Sequence, residues 1–149
     1  MGFIFILVIF SKHHFYYIQN KNLNQSGMGN IIMRFENFET LKKNTDFRMV
    51  YNKKGSYANK LLVMYILKNG TDMNRIGISV SKKVGNSIVR HRLTRLIRES
   101  VRLDSDRIEK GYDIVIVARV GLQEKNYFET RDAVLHLLRL HRLLIGKDF

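Results

Sequence analysis

Residues 60–68 (KLLVMYILK) are apolar on both alternations, and this restricts the possible folds more than any other stretch of the chain. Leu61, Val63, Tyr65 and Leu67 fall on one face of an extended segment, and Leu62, Met64 and Ile66 on the other. Such a segment reads as a central strand covered on both sides. It calls for a sheet with helices packed on it, and the rest of the chain supplies candidates for both.

Upstream, Phe47, Val50 and Tyr51 follow the i, i+3, i+4 spacing of a short amphipathic helix, with Asn44 or Thr45 as N-cap and Gly55 able to end it. Downstream, Asn69-Gly70 opens a turn of the hairpin kind. Residues 75–81 then alternate, with Ile76, Ile78 and Val80 against Gly77, Ser79 and Ser81, as a second strand. Gly85-Asn86 breaks that pattern and caps a helix of about five turns over residues 87–103, with Val89, Leu93, Leu96, Ile97 and Val101 as its buried stripe. Gly111 precedes a β-branched strand over 112–118 (YDIVIVA), and Asn126 with Glu129 forms a capping-box start for a last helix reaching about Leu144. This order of elements predicts an α+β sandwich, one sheet with packed helices. No internal repeat is present.

Charge narrows the partners. The 149 residues carry 26 Lys and Arg against 13 Asp and Glu, a net +13. Such an excess implies a polyanionic partner, nucleic acid first and an anionic membrane surface second. There is no Cys, which excludes disulfide frameworks, thiolate zinc sites and a Cys nucleophile, and fits a reducing compartment. Residues 1–32 differ from the rest. Their apolar run 3–10 (FIFILVIF) is too short to span a bilayer and lacks the basic opening of a signal peptide. They are expected to be a disordered extension or the result of a start assigned too early, with Met28 and Met33 as alternative starts. A segment packed on the body and a membrane address are the other readings. Without them, residues 33–149 keep a net +11, so the basic character belongs to the body.

Most of that charge gathers between Ser81 and Arg102, where Lys82, Lys83, Arg90, Arg92, Arg95, Arg98 and Arg102 face a single acid, Glu99. On a helix, positions 92, 95, 99 and 102 line one side with 98 beside them, opposite the apolar stripe. A solvated charged face is the ordinary meaning of such a pattern. Against it, Arg predominates, and its planar fork suits phosphate. Like charges three or four residues apart also destabilise an isolated helix, so an anionic partner would offset them. Backbone N–H groups at the helix start, beside Lys82 and Lys83, add to the anion preference. Phe47, Tyr51 and Tyr65 are candidates for stacking on unpaired bases, and equally for the core.

Enzyme motifs are incomplete. Residues 77–81 lack the closing Gly of a nucleophile elbow, and 77–82 is no phosphate-binding P-loop. His136 and His141, five apart, have poor metal geometry on a helix. Asp104, Asp106 and Glu109 lack the calcium-loop pattern and are expected to end the helix and offset nearby Arg.

The string from Arg75 to Asn86 (RIGISVSKKVGN), followed by Arg90-His91-Arg92 and by residues 95–99 (RLIRE), closely resembles the protein component of bacterial ribonuclease P. Upstream, residues 41–44 (LKKN), Asp46-Phe47, Val50-Tyr51 and 56–59 (SYAN) are similar to the opening of that family, and 111–115 with Ala118-Arg119 to its last strand. Residues 33–149 would then be the family domain. The resemblance implies a two-layer α/β sandwich with a left-handed βαβ crossover (ribosomal protein S5 domain 2-like), against the usual right-handed rule. It further implies a cytoplasmic subunit, without stable membrane association, that binds a catalytic RNA and the 5′ leader of precursor tRNA. The reaction centre would lie in the RNA, which would hold most of the magnesium. Lys82, Lys83, Asn86, Arg90, His91, Arg92, Arg95 and Arg98 would contact the catalytic RNA, and Phe47, Tyr51 and Tyr65 would line a cleft for the leader. No catalytic or metal-binding residue is expected in the protein. Two departures stand out. His91 replaces the amide of the family's Arg-Asn-Arg triplet, which would bring a mild pH dependence to assembly. Thr94 stands where relatives commonly carry a basic residue. A general or ribosomal RNA-binding module is the rival reading.

Overall fold

The computed structural model describes residues 9–11, 14–16, 38–53 and 55–146. The chain divides into two units, Met1–Arg34 and Phe35–Phe149. In the first, β1 (Ile9–Ser11) and β2 (His14–Tyr16) pair antiparallel. The other expectations for residues 1–32 lie outside the described residues. Among the described residues no helix is long and apolar enough to cross a membrane.

The second unit runs β3 (Phe38–Thr40), α1 (Asn44–Asn52), β4 (Ser56–Ala58), β5 (Leu62–Lys68), β6 (Asn74–Ser79), α2 (Ser87–Leu103), β7 (Tyr112–Ala118) and α3 (Tyr127–Leu140). Its five strands lie in the order β3-β6-β7-β5-β4. β7 is parallel to β6 and antiparallel to β5, so β6, α2 and β7 form a βαβ crossover in a mixed sheet. β3 joins β6 in parallel, and β4 joins β5 antiparallel.

Side-chain alternation sorts the two faces. Leu62, Met64, Ile76, Ile114 and Ile116 pack with Leu93, Ile97 and Val101 of α2 and Val134, Leu137 and Leu138 of α3. The opposite face is thinner: Val115 packs with Leu41 and Val50, joined by the half-buried Phe47, Tyr65, Leu67 and Val117. The sandwich is therefore the sheet with α2 and α3, while α1 covers part of the other side.

The structure corrects several expectations. Residues 60–68 do supply a strand flanked on both sides, but the central strand is β7, buried along almost its whole length. Asn69-Gly70 does not close a hairpin, because β7 separates β5 from β6. The turn instead arches over the start of β7. The Asn69 N–H donates to the Gly111 carbonyl over 2.9 Å, and the Asn69 side chain donates to Met73 O and Asp113 Oδ1. Gly111 has φ +91°, and a Cβ there would lie 2.8 Å from the Thr71 carbonyl oxygen, so the arch needs glycine at that point. The N-cap of α1 is Lys43, without a side-chain bond, and Asn44 and Thr45 lie inside the first turn. α1 ends at Asn52, three residues before Gly55. β6 stops at Ser79 rather than at 81.

α3 stops at Leu140 rather than 144. Arg142 takes φ +57°, its N–H reaches Arg139 O, and the Leu143 N–H reaches back to Leu138 O over 2.9 Å. That pairing is a Schellman ending. It turns Leu143 into the core and lets Leu144 bridge to Ile108.

Candidate nucleic-acid interface

α2 begins as the sequence predicts. The Asn86 side chain accepts the Val89 N–H over 3.0 Å, and Leu93, Ile97 and Val101 sink against the sheet. The opposite side of the helix must then face outward. Lys82, Lys83, His91, Arg92, Arg95 and Arg98 are exposed, and Arg90 is half-buried.

Which of these cations are available depends on where the carboxylates go. Buried Asp113 accepts from Arg75 Nε over 2.8 Å, and Asp46 lies 3.5 Å from the same guanidinium. Buried Asp104 holds Arg107 and Arg131, as expected of an acid ending α2. Glu129 takes Lys125, and that partner together with the Asn126 backbone N–H holds its carboxyl below the ordinary range. Glu99 takes Arg102. Among the described residues, Lys82, Lys83, Arg95 and Arg98 are left with no hydrogen bond or ion pair.

Other predicted members are partly engaged within the protein. Arg92 donates to the backbone carbonyls of Gln123 and, over 3.2 Å, Lys125, which ties α2 to the connection leading into α3. Arg90 buries its Nε without a partner. Asn86 spends its side-chain oxygen on the cap. Thr94 donates its hydroxyl to the Arg90 carbonyl over 2.9 Å.

The aromatic set assembles on the other face. Tyr51 stands edge-on to Tyr65 at 5.0 Å between centroids, and Phe47 lies 6.4 Å from Tyr51. Of the helix stripe only Val50 is wholly buried, whereas Tyr51 is 39% exposed. Phe47 can approach the sheet because residue 77 is glycine: a Cβ there would lie 2.7 Å from Phe47 Cε1. Burial raises the Tyr51 pKa despite a hydrogen bond with Ser79, so its hydroxyl stays protonated.

The two sets meet at the edge of the sheet. A crevice of about 70 Å³ is lined by Phe38, Leu41, Phe47, Ile78, Thr94 and Arg98 among others. The sequence reading included Phe47 and Arg98 but missed β3, whose three residues are too short for a periodicity argument. The short alternation Phe38-Glu39-Thr40 is the available signal. Among the described residues no three His, Asp or Glu side chains converge as a metal cage.

A small basic α+β protein with unpaired cations on one helix and the turn before it, and half-exposed rings on the opposite side of its sheet, is of the class that meets a polyanion. Comparison with known proteins is specific. The family model for ribonuclease P matches residues 35–141. The chain is 56% identical to the ribonuclease P protein component of Lachnoclostridium phytofermentans, over 74% of this chain and 95% of that one. It is 51% identical to that of Alkaliphilus oremlandii, over 70% and 91%. Among solved structures, it is similar to the RNase P protein of Staphylococcus aureus (TM-score 0.66, 34% identity, 70% of this chain and 96% of that one). It is likewise similar to that of Thermotoga maritima (TM-score 0.64, 33% identity, 68% and 96%). The chain belongs to the ribonuclease P protein component family.

Proposed function

We propose that the protein binds the catalytic RNA of ribonuclease P through the start and outer face of α2, and the single-stranded 5′ leader of precursor tRNA beside α1. The observation that carries the reading is the row of unpaired cations, Lys82, Lys83, Arg95 and Arg98, beside which the one acid of the segment, Glu99, is already paired with Arg102. Arg90, His91, Arg92 and Asn86 flank that row and complete the RNA-facing surface. Phe47, Tyr51 and Tyr65 offer ring faces and edges to unpaired bases, a mode of contact that tolerates any sequence.

In this reading the protein supplies affinity and orientation, and bond cleavage belongs to the RNA. Magnesium is assigned to RNA phosphate oxygens, the hard ligands it prefers. Bound there, it would supply the activation of water for phosphodiester hydrolysis. The setting is the cytoplasm, with precursor tRNA as substrate.

Reconstitution with the cognate RNA tests the proposal. Added protein should stimulate leader removal at low magnesium, and a variant neutralised at Lys82, Lys83, Arg95 and Arg98 should not. Cleavage by the purified protein alone, or equal stimulation by the neutralised variant, would overturn it.

A further inference from the structure

α1 is held to the sheet by little apolar burial. Of its nine residues only Val50 is buried, and it packs with Leu41, just before the helix, and Val115 of β7. The N-cap, Lys43, makes no side-chain bond. Beside the first turn an open cavity of about 420 Å³ is lined by Glu39, Thr40, Lys42, Lys43, Asp46 and Arg75, with no apolar side chain among them. Anchors this few resist lifting of the helix more than a sideways swing.

The backbone of α1 lies nearest β5 and β7, so its ties to β6 are made by side chains. β6 presents Arg75, Gly77 and Ser79 on that face, two residues apart as a strand requires. Asp46 Oδ2 lies 3.5 Å from Arg75 Nη1, Phe47 fits against Gly77, and Tyr51 hydrogen-bonds with Ser79. The first of the three is an ion pair, and its cation is not a loose side chain. Arg75 Nε and Nη2 both donate to buried Asp113 on β7, Nε over 2.8 Å, and Asp113 also accepts from Asn69 Nδ2 over 2.9 Å. The fork is thereby fixed, leaving Nη1 for α1. Ordering a long side chain is part of what makes a partly exposed ion pair weak, and here Asp113 has already done the ordering.

We infer that Arg75 is a positioning residue for the 5′ leader. Acting through Asp46, it sets how far α1 is drawn toward β6. That fixes the spacing between Tyr51 on α1 and Tyr65 on β5, whose ring centroids are 5.0 Å apart. The inference rests on the leader-binding reading above and deepens it, because preference for leader-bearing RNA then depends on a charged pair at the opposite end of α1 from Tyr51. Arg75 differs in kind from the cations of α2. Paired with two carboxylates, it offers a phosphate no net positive charge.

Charge gives the test its sign. Asp46→Asn keeps the shape of the side chain, leaves Arg75 bonded to Asp113 and makes the protein more positive. Attraction alone would then strengthen the binding of every RNA. The inference requires the reverse for the leader. In the holoenzyme reconstituted with the cognate RNA, Asp46→Asn should weaken binding of leader-bearing precursor about three- to fivefold, as the loss of such a pair allows, and should not weaken binding of mature tRNA. Asp46→Glu, which retains the charge, should restore most of the loss. Arg75→Lys keeps the charge without the fork and should also weaken leader binding, and adding Asp46→Asn to it should cost nothing more, because the two residues act as one unit. In the free protein the Gly77 α-proton signals report where Phe47 lies, and they should move in Asp46→Asn.

Unchanged or stronger leader binding in Asp46→Asn, no rescue by Asp46→Glu, or additive losses in the double variant would overturn the positioning role. Tyr51→Ala, measured beside them, separates the two levels. If it weakens leader binding while Asp46→Asn does not, the positioning role falls and the leader reading stands. If neither weakens it, both fall.

Discussion

Arg92 and Arg95 lie one turn apart on α2, but Arg95 projects without a partner while Arg92 donates to the carbonyls of Gln123 and Lys125. They should fail differently. Arg95→Ala is expected to lower the slope of log affinity against log salt by about 1 and to leave Tm unchanged. Arg92→Ala is expected to lower stability by about 1 kcal/mol through its lost hydrogen bonds, read as a fall in Tm. A salt titration beside a melting curve for each variant checks both. On the aromatic side, Tyr51→Ala should reduce affinity for leader-bearing precursor by about 1–3 kcal/mol and hardly affect mature tRNA. Competition binding of the two RNAs decides it, and equal losses would reject the cleft. Arg95 was legible in the sequence because its charge and helical phase suffice. The engagement of Arg92 was not, since its partners are backbone carbonyls 31 and 33 residues further on.

At the scale of elements, α2 and the start of α3 were readable because their caps are side chains. Asn86 and Asn126 both accept the expected backbone N–H, and Glu129 completes the capping box. The end of α3 was not readable, because a Schellman turn with Arg142 in the left-handed region carries no glycine to announce it. Arg142→Gly is therefore expected to raise stability by about 1 kcal/mol, measured by denaturant unfolding. His141, the C-cap, places Nε2 3.0 Å from the Met64 carbonyl, so that nitrogen carries the proton and donates. Burial lowers its pKa below the ordinary value, and the hydrogen bond only partly opposes this. With the folded pKa depressed, the unfolded chain takes up the proton first as pH falls. The associated stability is present above the unfolded pKa and is lost as pH drops through the folded one. The fall in Tm between about pH 7.5 and about pH 5.5 should accordingly be larger in the wild type than in His141→Gln. Equal falls would remove His141 from the account.

Over the whole molecule, α+β class and basic character follow from composition and periodicity, but strand order does not. The local sequence suggests that β5 turns directly into β6, and only the apolar density of residues 112–118 hints that β7 belongs between them. If five phosphates are engaged, affinity for the catalytic RNA should fall on the order of 10²–10³-fold from about 50 to about 200 mM salt. A flat response in a filter-binding titration would contradict the polyanion reading. The position of β7 also bears on how the chain matures. Before residues 112–118 leave the ribosome, β3 with β6 and β4 with β5 are two separate ribbons, and a two-stranded ribbon is at best marginally stable in water. Of these five strands the latest in sequence is thus the one that joins them, so the sheet of the nascent polypeptide closes only after residues 112–118 have emerged, with the cationic segment of α2 already outside.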